Sequence, residues 1–270
     1  MLFERTIGTT TILRSTLLDA EGFAHGFSTR LGGVSAAPFD SLNLQSIQAN
    51  ARIAETEARD SEDALRENHA RFQQAAGISR DRAVADASQV HGCTVVCARE
   101  TLATRIAADA ITSEPGSHAV LIRVADCVPI LIADPHSGAV AAVHAGWRGV
   151  VAKIAPAAVA ALRELGCSPA SLVAAVGPCI SARHFEIGPE VADALVGAEL
   201  APSVVAPGVH GPRHHADLVH ALRLQLERCG LAVDRIDADP PCTFADRARF
   251  HSYRRDGAAS GRLAAIIAPR

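Results

Sequence analysis

Short apolar runs, separated by turn-forming residues, set the strongest constraint on how this chain can fold. Four of them lie between residues 118 and 177, with the sequences HAVLIRV, VPILIAD, GAVAAVH and SLVAAVG. Each run has the length of a β-strand and is bounded by Gly, Pro, Asp or Ser, a pattern typical of strands inside a hydrophobic core. The sequence therefore predicts a buried β-sheet, with a last strand in RLAAIIA near the C-terminus.

Three longer segments have the character of helices. The polar segment that ends at Gly77 has acidic residues in its first turn, and HADLVHALRLQLERCG has leucines at four-residue spacing. The segment GVVAKIAPAAVAALRELG predicts a helix that ends at Gly166, with Pro156 either kinking it or marking its first turn. No repeat or linker interrupts the pattern, so we expect residues 1–270 to form a single α+β domain.

The composition excludes several classes of protein. Hydrophobic residues make up 49% of the chain but aromatic residues only 4%, so small aliphatic side chains must build the core. A net charge of −3 leaves no basic face for nucleic acid. No apolar run reaches the ~20 residues that span a bilayer, and the N-terminus lacks the apolar stretch of a secretory signal. We expect a cytoplasmic monomer that binds neither nucleic acid nor membrane.

The seven cysteines are an odd number and lie far apart in the sequence, which favours free thiols over a disulfide framework. One of them stands out, because Asp126 and Cys127 interrupt an apolar run immediately before Val128 and Pro129. Neither Asp nor Pro is favoured inside a strand, so this step is predicted at a strand end or a bulge.

His144 ends the next apolar run, and the tight DPHSG turn between the two runs would bring it to the same sheet edge as Cys127. His91, in the sequence QVHG, is a third candidate. Imidazole and thiolate suit zinc, and three protein ligands would leave a fourth position open for a reactant. The spacing of these residues does not exclude that Cys127 is an ordinary residue of the hydrophobic core, because cysteine is among the most buried residue types.

A series of motifs in one order resembles a known family. The motifs run from residue 26 to residue 262 and are GFSTRLGGVS, SLNL, QVHG, ADAIT, ADCVPILIADP, VHAGWRG, VGPCI, FEIG and FHSYRRDG followed by GR. Together they resemble the bacterial laccase-domain family, also called polyphenol oxidoreductase or purine nucleoside phosphorylase proteins. The resemblance implies a single domain with mixed β-sheets layered together and helices on the outside. It also implies a metal site, and catalytic roles, for His91, Cys127 and His144.

The resemblance further implies an enzyme that cleaves adenosine, inosine and methylthioadenosine with phosphate, giving the free base and (methylthio)ribose 1-phosphate, and that deaminates adenosine. The older family name implies oxidation of phenols with copper. Multicopper oxidation needs about four coppers and hence many imidazoles, usually in close pairs. This chain has no His-x-His sequence, and Met1 is its only methionine. We therefore expect zinc rather than copper, and disfavour laccase activity.

Further residues are candidates for the chemistry of this reaction. Asp126 and Asp109 are the carboxylates expected to move protons, with Asp126 counted among the catalytic residues and Asp109 among the substrate-binding residues. Arg30, in its Ser/Thr/Gly-rich loop, could hold phosphate through a charge-assisted fork, with Ser28 adding a hydroxyl.

Asn43 and Arg148 are weaker candidates for contacts to the sugar or base. Arg148 could equally be an ordinary arginine at the surface or in an ion pair. The segment at residues 45–60 looks longer than the family pattern after SLNL. If this segment lines the pocket, we expect it to affect which substrate is preferred.

Two other interpretations of the same residues stay open. In the first, Cys127 is a nucleophile and His144 its base, with Asp126 as the carboxylate, in a hydrolase acting on an amide or ester. In the second, the metal is purely structural, and another cysteine or histidine supplies a fourth ligand.

Overall fold

The computed structural model describes residues 1–54, 58–101, 106–198, 200, 204–206 and 214–270. The strands of this part of the chain are β1 (Leu2–Ile7), β2 (Thr10–Ser15), β3 (His25–Ser28), β4 (Val84–Ala85), β5 (Val95–Cys97), β6 (Ala110–Ser113), β7 (Ala119–Val124), β8 (Val128–Ala133), β9 (Val140–Ala145), β10 (Val173–Val176), β11 (Glu186–Ile187), β12 (Val205–Ala206), β13 (His214–Ala216), β14 (Ile236–Asp237) and β15 (Leu263–Ile267). Its α-helices are α1 (Thr16–Ala20), α2 (Ile47–Asn50), α3 (Glu62–Ala75), α4 (Ala98–Thr101), α5 (Trp147–Val151), α6 (Ile154–Glu164), α7 (Pro189–Gly197), α8 (Leu218–Arg228) and α9 (Tyr253–Asp256).

The strands form two six-stranded sheets and one small sheet of three strands. The first sheet has the order β1-β2-β3-β15-β7-β4, and the second has the order β14-β10-β8-β9-β6-β5. Both are mixed, since β4 pairs parallel to β7 and β5 pairs parallel to β6, whereas β8 and β9 are antiparallel. The third sheet has the order β11-β13-β12.

The two large sheets face each other across a shared core. Leu131 and Ala133 of β8 point into it, together with Ile122 of β7 and Ala265 of β15. The alternate residues of β8 point to the opposite face of the second sheet, where α6 and α8 pack. On the far face of the first sheet, Phe72 of α3 closes a third core cluster. The result is four layers in the order helix, sheet, sheet, helices.

Burial on both faces explains why these strands read as unbroken apolar runs. Every residue of β8 and β9 is buried. The predicted strands are all present, and the α+β fold with layered mixed sheets and outer helices is confirmed.

The predicted helix before Gly166 is two helices. Lys153 has φ 63° and ψ 44°, a left-handed conformation that ends α5 and starts α6. Pro156 lies in the first turn of α6, where its missing N–H has little cost. Of the two sequence alternatives for Pro156, the first-turn position is therefore the one adopted.

Within the described residues, no helix combines the length and the apolar character needed to cross a membrane.

Candidate metal centre

The candidate site lies where three strands of the second sheet reach the same edge. Cys127 immediately precedes β8, His144 is the next-to-last residue of β9, and Asp109 immediately precedes β6. Because β9 pairs antiparallel with both neighbours, Pro129 lies opposite His144 on one side and Ala110 lies opposite Val143 on the other. The predicted meeting of Cys127 and His144 at one sheet edge is therefore what the strand register produces.

The loop between β4 and β5 carries the third side chain of this group. The ligand atoms of His91, Cys127 and His144 all lie within 4.8 Å of one another, and Cys127 Sγ is 3.8 Å from His91 Nε2. Two ligands of a tetrahedral zinc, with Zn–S near 2.3 Å and Zn–N near 2.0 Å, would be about 3.5 Å apart. The spacing and the donor types of these three residues, called the cluster below, thus fit a zinc ion.

Local backbone conformation brings the cluster together. His91 has φ 62° and Asp126 has φ 86°, so each adopts a left-handed conformation that turns the chain sharply beside a ligand. At Gly146 a Cβ would lie 2.8 Å from His91 Cδ2 and 3.1 Å from Cys127 Sγ. Gly146 is therefore needed because the backbone passes too close to the cluster for any side chain.

The carboxylate of Asp109 orients two of the three ligands. Its Oδ1 accepts from His144 Nδ1–H at 2.8 Å and from the backbone N–H of His91 at 2.9 Å. Its Oδ2 accepts from the N–H of Gly92 at 2.7 Å. Because a carboxylate accepts at Nδ1, His144 carries its proton there and leaves the Nε2 lone pair free for a metal.

Electrostatics favour the thiolate that a metal requires. Burial raises the pKa of the Cys127 thiol, but the charges and hydrogen bonds of His144 and His91 outweigh burial and bring that pKa to about 6. Burial lowers the pKa of His144, and the Cys127 thiolate and Asp109 carboxylate outweigh it, so this pKa rises to about 9. Without a metal, Cys127 and His144 are thus a thiolate–imidazolium pair near neutral pH.

A cavity of about 500 Å³ opens in front of the cluster, at the edge where the two large sheets meet. This cavity, called the main cavity below because the cluster lines it, has the size of a small-molecule site. It is lined by Gln45, Ser46, Ala49, Ser88, Gln89, His91, Arg123, Val124, Ala125, Cys127, His144, Tyr253 and Arg262. Gln45, Ser46 and Ala49, from the segment at residues 45–60 singled out in the sequence, thus form part of the wall; residues 55–57 of that segment lie outside the described residues.

The other carboxylate expected to move protons, Asp126, does not line the main cavity. Its Oδ1 accepts from the Thr243 hydroxyl at 2.6 Å, and its Oδ2 accepts from the Ser252 hydroxyl at 3.0 Å and the Arg254 N–H at 2.6 Å. The left-handed turn at Asp126 directs this carboxylate into the 243–254 segment. Asp126 thereby fixes the position of that segment beside Cys127.

The predicted phosphate contacts also lie outside the main cavity. Ser28 is buried in β3, where its Oγ accepts from the Ala264 N–H. Arg30 lines a separate cavity with Asp40 and donates to the Asp40 carbonyl at 2.7 Å. Its guanidinium also faces the Asp40 carboxylate at 3.2 Å, so this arginine already has a counter-ion.

The two weaker candidates are likewise separate from the cluster. Asn43 donates from Nδ2 to Asp60 Oδ2 at 2.7 Å, and its Oδ1 accepts from the Arg262 N–H at 2.8 Å, so it braces the wall from behind. Arg148 is exposed and stacks on Trp147, with its Cζ 4.3 Å from the ring centroid. The surface reading of Arg148 matches this placement.

Two arginines of the main cavity were missed in the sequence. Arg123 interrupts the apolar run HAVLIRV, and Arg262 ends the last motif just before β15. A charge within an otherwise apolar strand needs a partner or a function, and that signal could have identified Arg123. Arg262 could be recognised only once β15 was known to pair with β7, with Leu263 opposite Val124.

Fold and site together define a class: a four-layer α+β protein with a candidate metal centre at the edge between its two large sheets. Residues 24–270 match the family described as multi-copper polyphenol oxidoreductase laccase, and the chain belongs to this family. The resemblance found in the motifs is thereby confirmed.

Relatives and solved structures agree with this membership. A Pseudomonas aeruginosa protein named purine nucleoside phosphorylase is 39% identical over 241 residues, which cover 89% of this chain and 90% of the relative. A Deinococcus radiodurans protein of the same name is 36% identical over 243 residues, covering 90% and 88%. The crystal structure of YlmD from Geobacillus stearothermophilus is similar over 100% of both chains, with a TM-score of 0.84 and 27% identity.

Proposed function

We propose that this protein is a zinc-dependent enzyme that cleaves purine nucleosides with phosphate. The observation that carries the proposal is the cluster, whose three ligand atoms lie within 4.8 Å of one another on the wall of the main cavity. The names of its relatives support the reaction type. The proposed substrates are adenosine, inosine and methylthioadenosine, and the sugar product is (methylthio)ribose 1-phosphate.

In this reaction a phosphate oxygen forms a bond to the anomeric carbon of the sugar. The bond from that carbon to the purine nitrogen breaks, and its electron pair stays on the base. The base gains one proton and dihydrogen phosphate loses one, so the exchange balances. The chain must therefore hold nucleoside and phosphate side by side, which the size and polar lining of the main cavity permit.

His91, Cys127 and His144 would hold the zinc, and Asp109 would keep His144 in the tautomer that binds it. A zinc ion in this position supplies a Lewis acid and lowers the pKa of water. The proposal includes adenosine deamination, in which water replaces the purine amino group and ammonia leaves. Since Asp109 and Asp126 are both occupied by hydrogen bonds, we assign them to positioning rather than to proton transfer.

The donor set supports zinc over a multicopper centre. Among the described residues, one group of His, Cys, Asp and Glu side chains has the spacing of a metal site, and it offers two imidazoles and one thiolate. This is the ligand type of catalytic zinc sites with three protein ligands.

The test is phosphate-dependent release of free purine from inosine and adenosine, with ammonia measured in the same incubation. We expect release in the wild type and its loss in His144→Ala. The matched control is His136→Ala, because His136 is an exposed histidine in the turn between β8 and β9. Equal activity in His144→Ala and His136→Ala, or release that does not depend on phosphate, would contradict the proposal.

A specific observation favours a second candidate, a thiol hydrolase. Cys127, His144 and Asp109 stand in the order of nucleophile, base and orienting carboxylate, and the pKa of Cys127 is about 6. The carboxylate in this arrangement is Asp109, where the sequence suggested Asp126. Metal-free protein that hydrolyses an ester, and loses this activity when iodoacetamide labels Cys127, would support the hydrolase over the zinc enzyme.

A further inference from the structure

Arg262 differs from the other arginine of the main cavity, because no carboxylate of the described residues forms an ion pair with it. Arg123 donates from Nη1 to Asp86 Oδ2 at 2.5 Å. Arg262 Nη1 donates to the carbonyls of Ser260 at 2.7 Å and Gly261 at 3.2 Å. Among the residues that the structure describes, no carboxylate oxygen lies within 4.0 Å of the Arg262 guanidinium. Its remaining N–H groups are therefore available to a ligand.

The position of Arg262 is fixed before any ligand arrives. Its backbone N–H donates to Asn43 Oδ1 at 2.8 Å, and its carbonyl accepts from the Leu44 N–H at 2.9 Å. Its Cζ lies 5.7 Å from the centroid of the Tyr253 ring. Burial lowers the pKa of Arg262, which means that the cation has lost part of its hydration. A guanidinium held in place and partly desolvated binds an anion at lower entropic cost.

The charge of the main cavity also favours an anion. The described residues that line it include two arginines and two histidines but no Asp or Glu. Asp86 pairs with Arg123. Among the described residues Arg262 has no carboxylate in ion-pair contact, and the negative groups Cys127 and Asp126 act on it only by attraction at longer range. A partly closed cavity with one sign of charge concentrates ligands of the opposite sign.

We propose that Arg262 is the anchor for phosphate, binding two of its oxygens through the free N–H groups of the guanidinium. This inference rests on the proposed function for the identity of the anion, and it replaces Arg30 in the role that the sequence suggested. Arg262 enters the cavity from the first sheet and the cluster from the second. The nucleoside sugar would thus lie between phosphate on one side and the cluster on the other.

The test compares Arg262→Lys and Arg262→Met with the wild type and with Arg66→Met. Arg66 is a matched control because its side chain is 63% exposed on α3 and outside the main cavity. KM is measured separately for inorganic phosphate and for inosine. We expect Arg262→Met to raise the KM for phosphate about 10- to 100-fold, the loss of a charged hydrogen-bonded contact, with a smaller change in KM for inosine. Arg262→Lys should recover part of the affinity, since lysine keeps the charge but not the fork.

A binding measurement separates this inference from the proposed function. Phosphate alone, without nucleoside, should raise the melting temperature of the wild type and of Arg66→Met but not of Arg262→Met. If the wild type binds phosphate through Arg262 and cleaves no nucleoside, the proposed function fails and the anion site stands. If Arg262→Met and Arg262→Lys both keep the wild-type KM for phosphate and its thermal shift, the Arg262 assignment is overturned. An effect confined to the KM for inosine would also overturn it, because Arg262 would then contact the neutral nucleoside rather than phosphate.

Discussion

At the scale of single residues, the cluster depends on neighbouring side chains that cannot be recognised from the sequence patterns of metal ligands. His91, Cys127 and His144 could be found in the sequence because each ends or interrupts a recognisable pattern, and because their motifs occur together. Asp109 was found as a carboxylate, but its position behind His144 depends on β6 pairing with β9. Arg262 was missed because it reaches the main cavity only through the pairing of β15 with β7.

Asp109→Asn tests whether this carboxylate orients the ligands. An asparagine has one acceptor oxygen for bonds now shared by two, so the N–H groups of His91 and Gly92 and the ring of His144 cannot all be held. We expect zinc affinity to fall about 10- to 100-fold, measured by competition with a chelator. The matched control is Asp134→Asn, a buried carboxylate in the turn after β8. Equal zinc affinities in the two variants would contradict this role.

Gly146→Ala tests the close approach of the backbone to the cluster. The new Cβ would lie 2.8 Å from His91 Cδ2, so either the loop of His91 or the start of α5 must move. We expect the variant to lose most of its zinc while keeping its circular dichroism spectrum. Gly197→Ala is the control, since a Cβ there meets no atom of the described part of the chain within 4 Å. A zinc content equal to that of Gly197→Ala would show that the backbone at residue 146 leaves room for a side chain beside His91, and would contradict the prediction.

At the scale of elements, the strands with long apolar runs were predicted, whereas most short or polar strands were not. The strands β3 (HGFS) and β6 (AITS) are fully buried but were missed, because each has four residues and at least half of these are polar or glycine. The central strands β8 and β9 are apolar apart from His144, because a sheet covers one face and helices cover the other. The strand β1 was missed because four of its six residues are exposed, and its sequence LFERTI has no apolar run. A run of hydrophobic residues indicates a buried segment, so an exposed strand at the edge of a sheet is hard to recognise in the sequence.

Lys153→Gly tests the left-handed residue that separates α5 from α6. A non-glycine residue in this conformation costs roughly 1–2 kcal/mol, and part of the gain from glycine is offset by its greater freedom in the unfolded chain. We expect the free energy of unfolding to rise by about 0.5–1 kcal/mol in urea titrations. Lys153→Ala keeps the Cβ and is expected to stay near the wild type. A Lys153→Gly variant less stable than Lys153→Ala would contradict this reading of the break.

At the scale of the whole molecule, three histidines in different parts of the fold are neutral rings, with His25 and His251 fully buried and His69 partly buried. Burial is the largest cause in each case, and it lowers the pKa of His25 to about 4, of His69 to about 4 and of His251 to about 3. His25 makes its burial possible by accepting from the Ser15 N–H and donating to the Phe23 carbonyl. Protonation would break the first of these bonds.

The free energy of unfolding should therefore decrease as the pH falls below 6.5. Between pH 6.5 and about 4 the unfolded chain binds protons at these histidines and the folded chain does not, so acid favours unfolding. His25 alone would account for about 3 kcal/mol across this range. Urea titrations at pH 7, 6 and 5 measure the slope. We expect a shallower slope for His25→Gln than for the exposed control His136→Gln, and identical slopes would show that His25 is not the source.

The most direct measurement of the central claim is a zinc titration of metal-free protein, with phosphate-dependent release of purine base followed at each step. If His91, Cys127 and His144 hold one catalytic zinc, activity should rise from near zero and level off at about one zinc per chain, and Cys127→Ser should gain none. Full activity in the metal-free protein, or a plateau reached only with several copper ions per chain, would contradict the account.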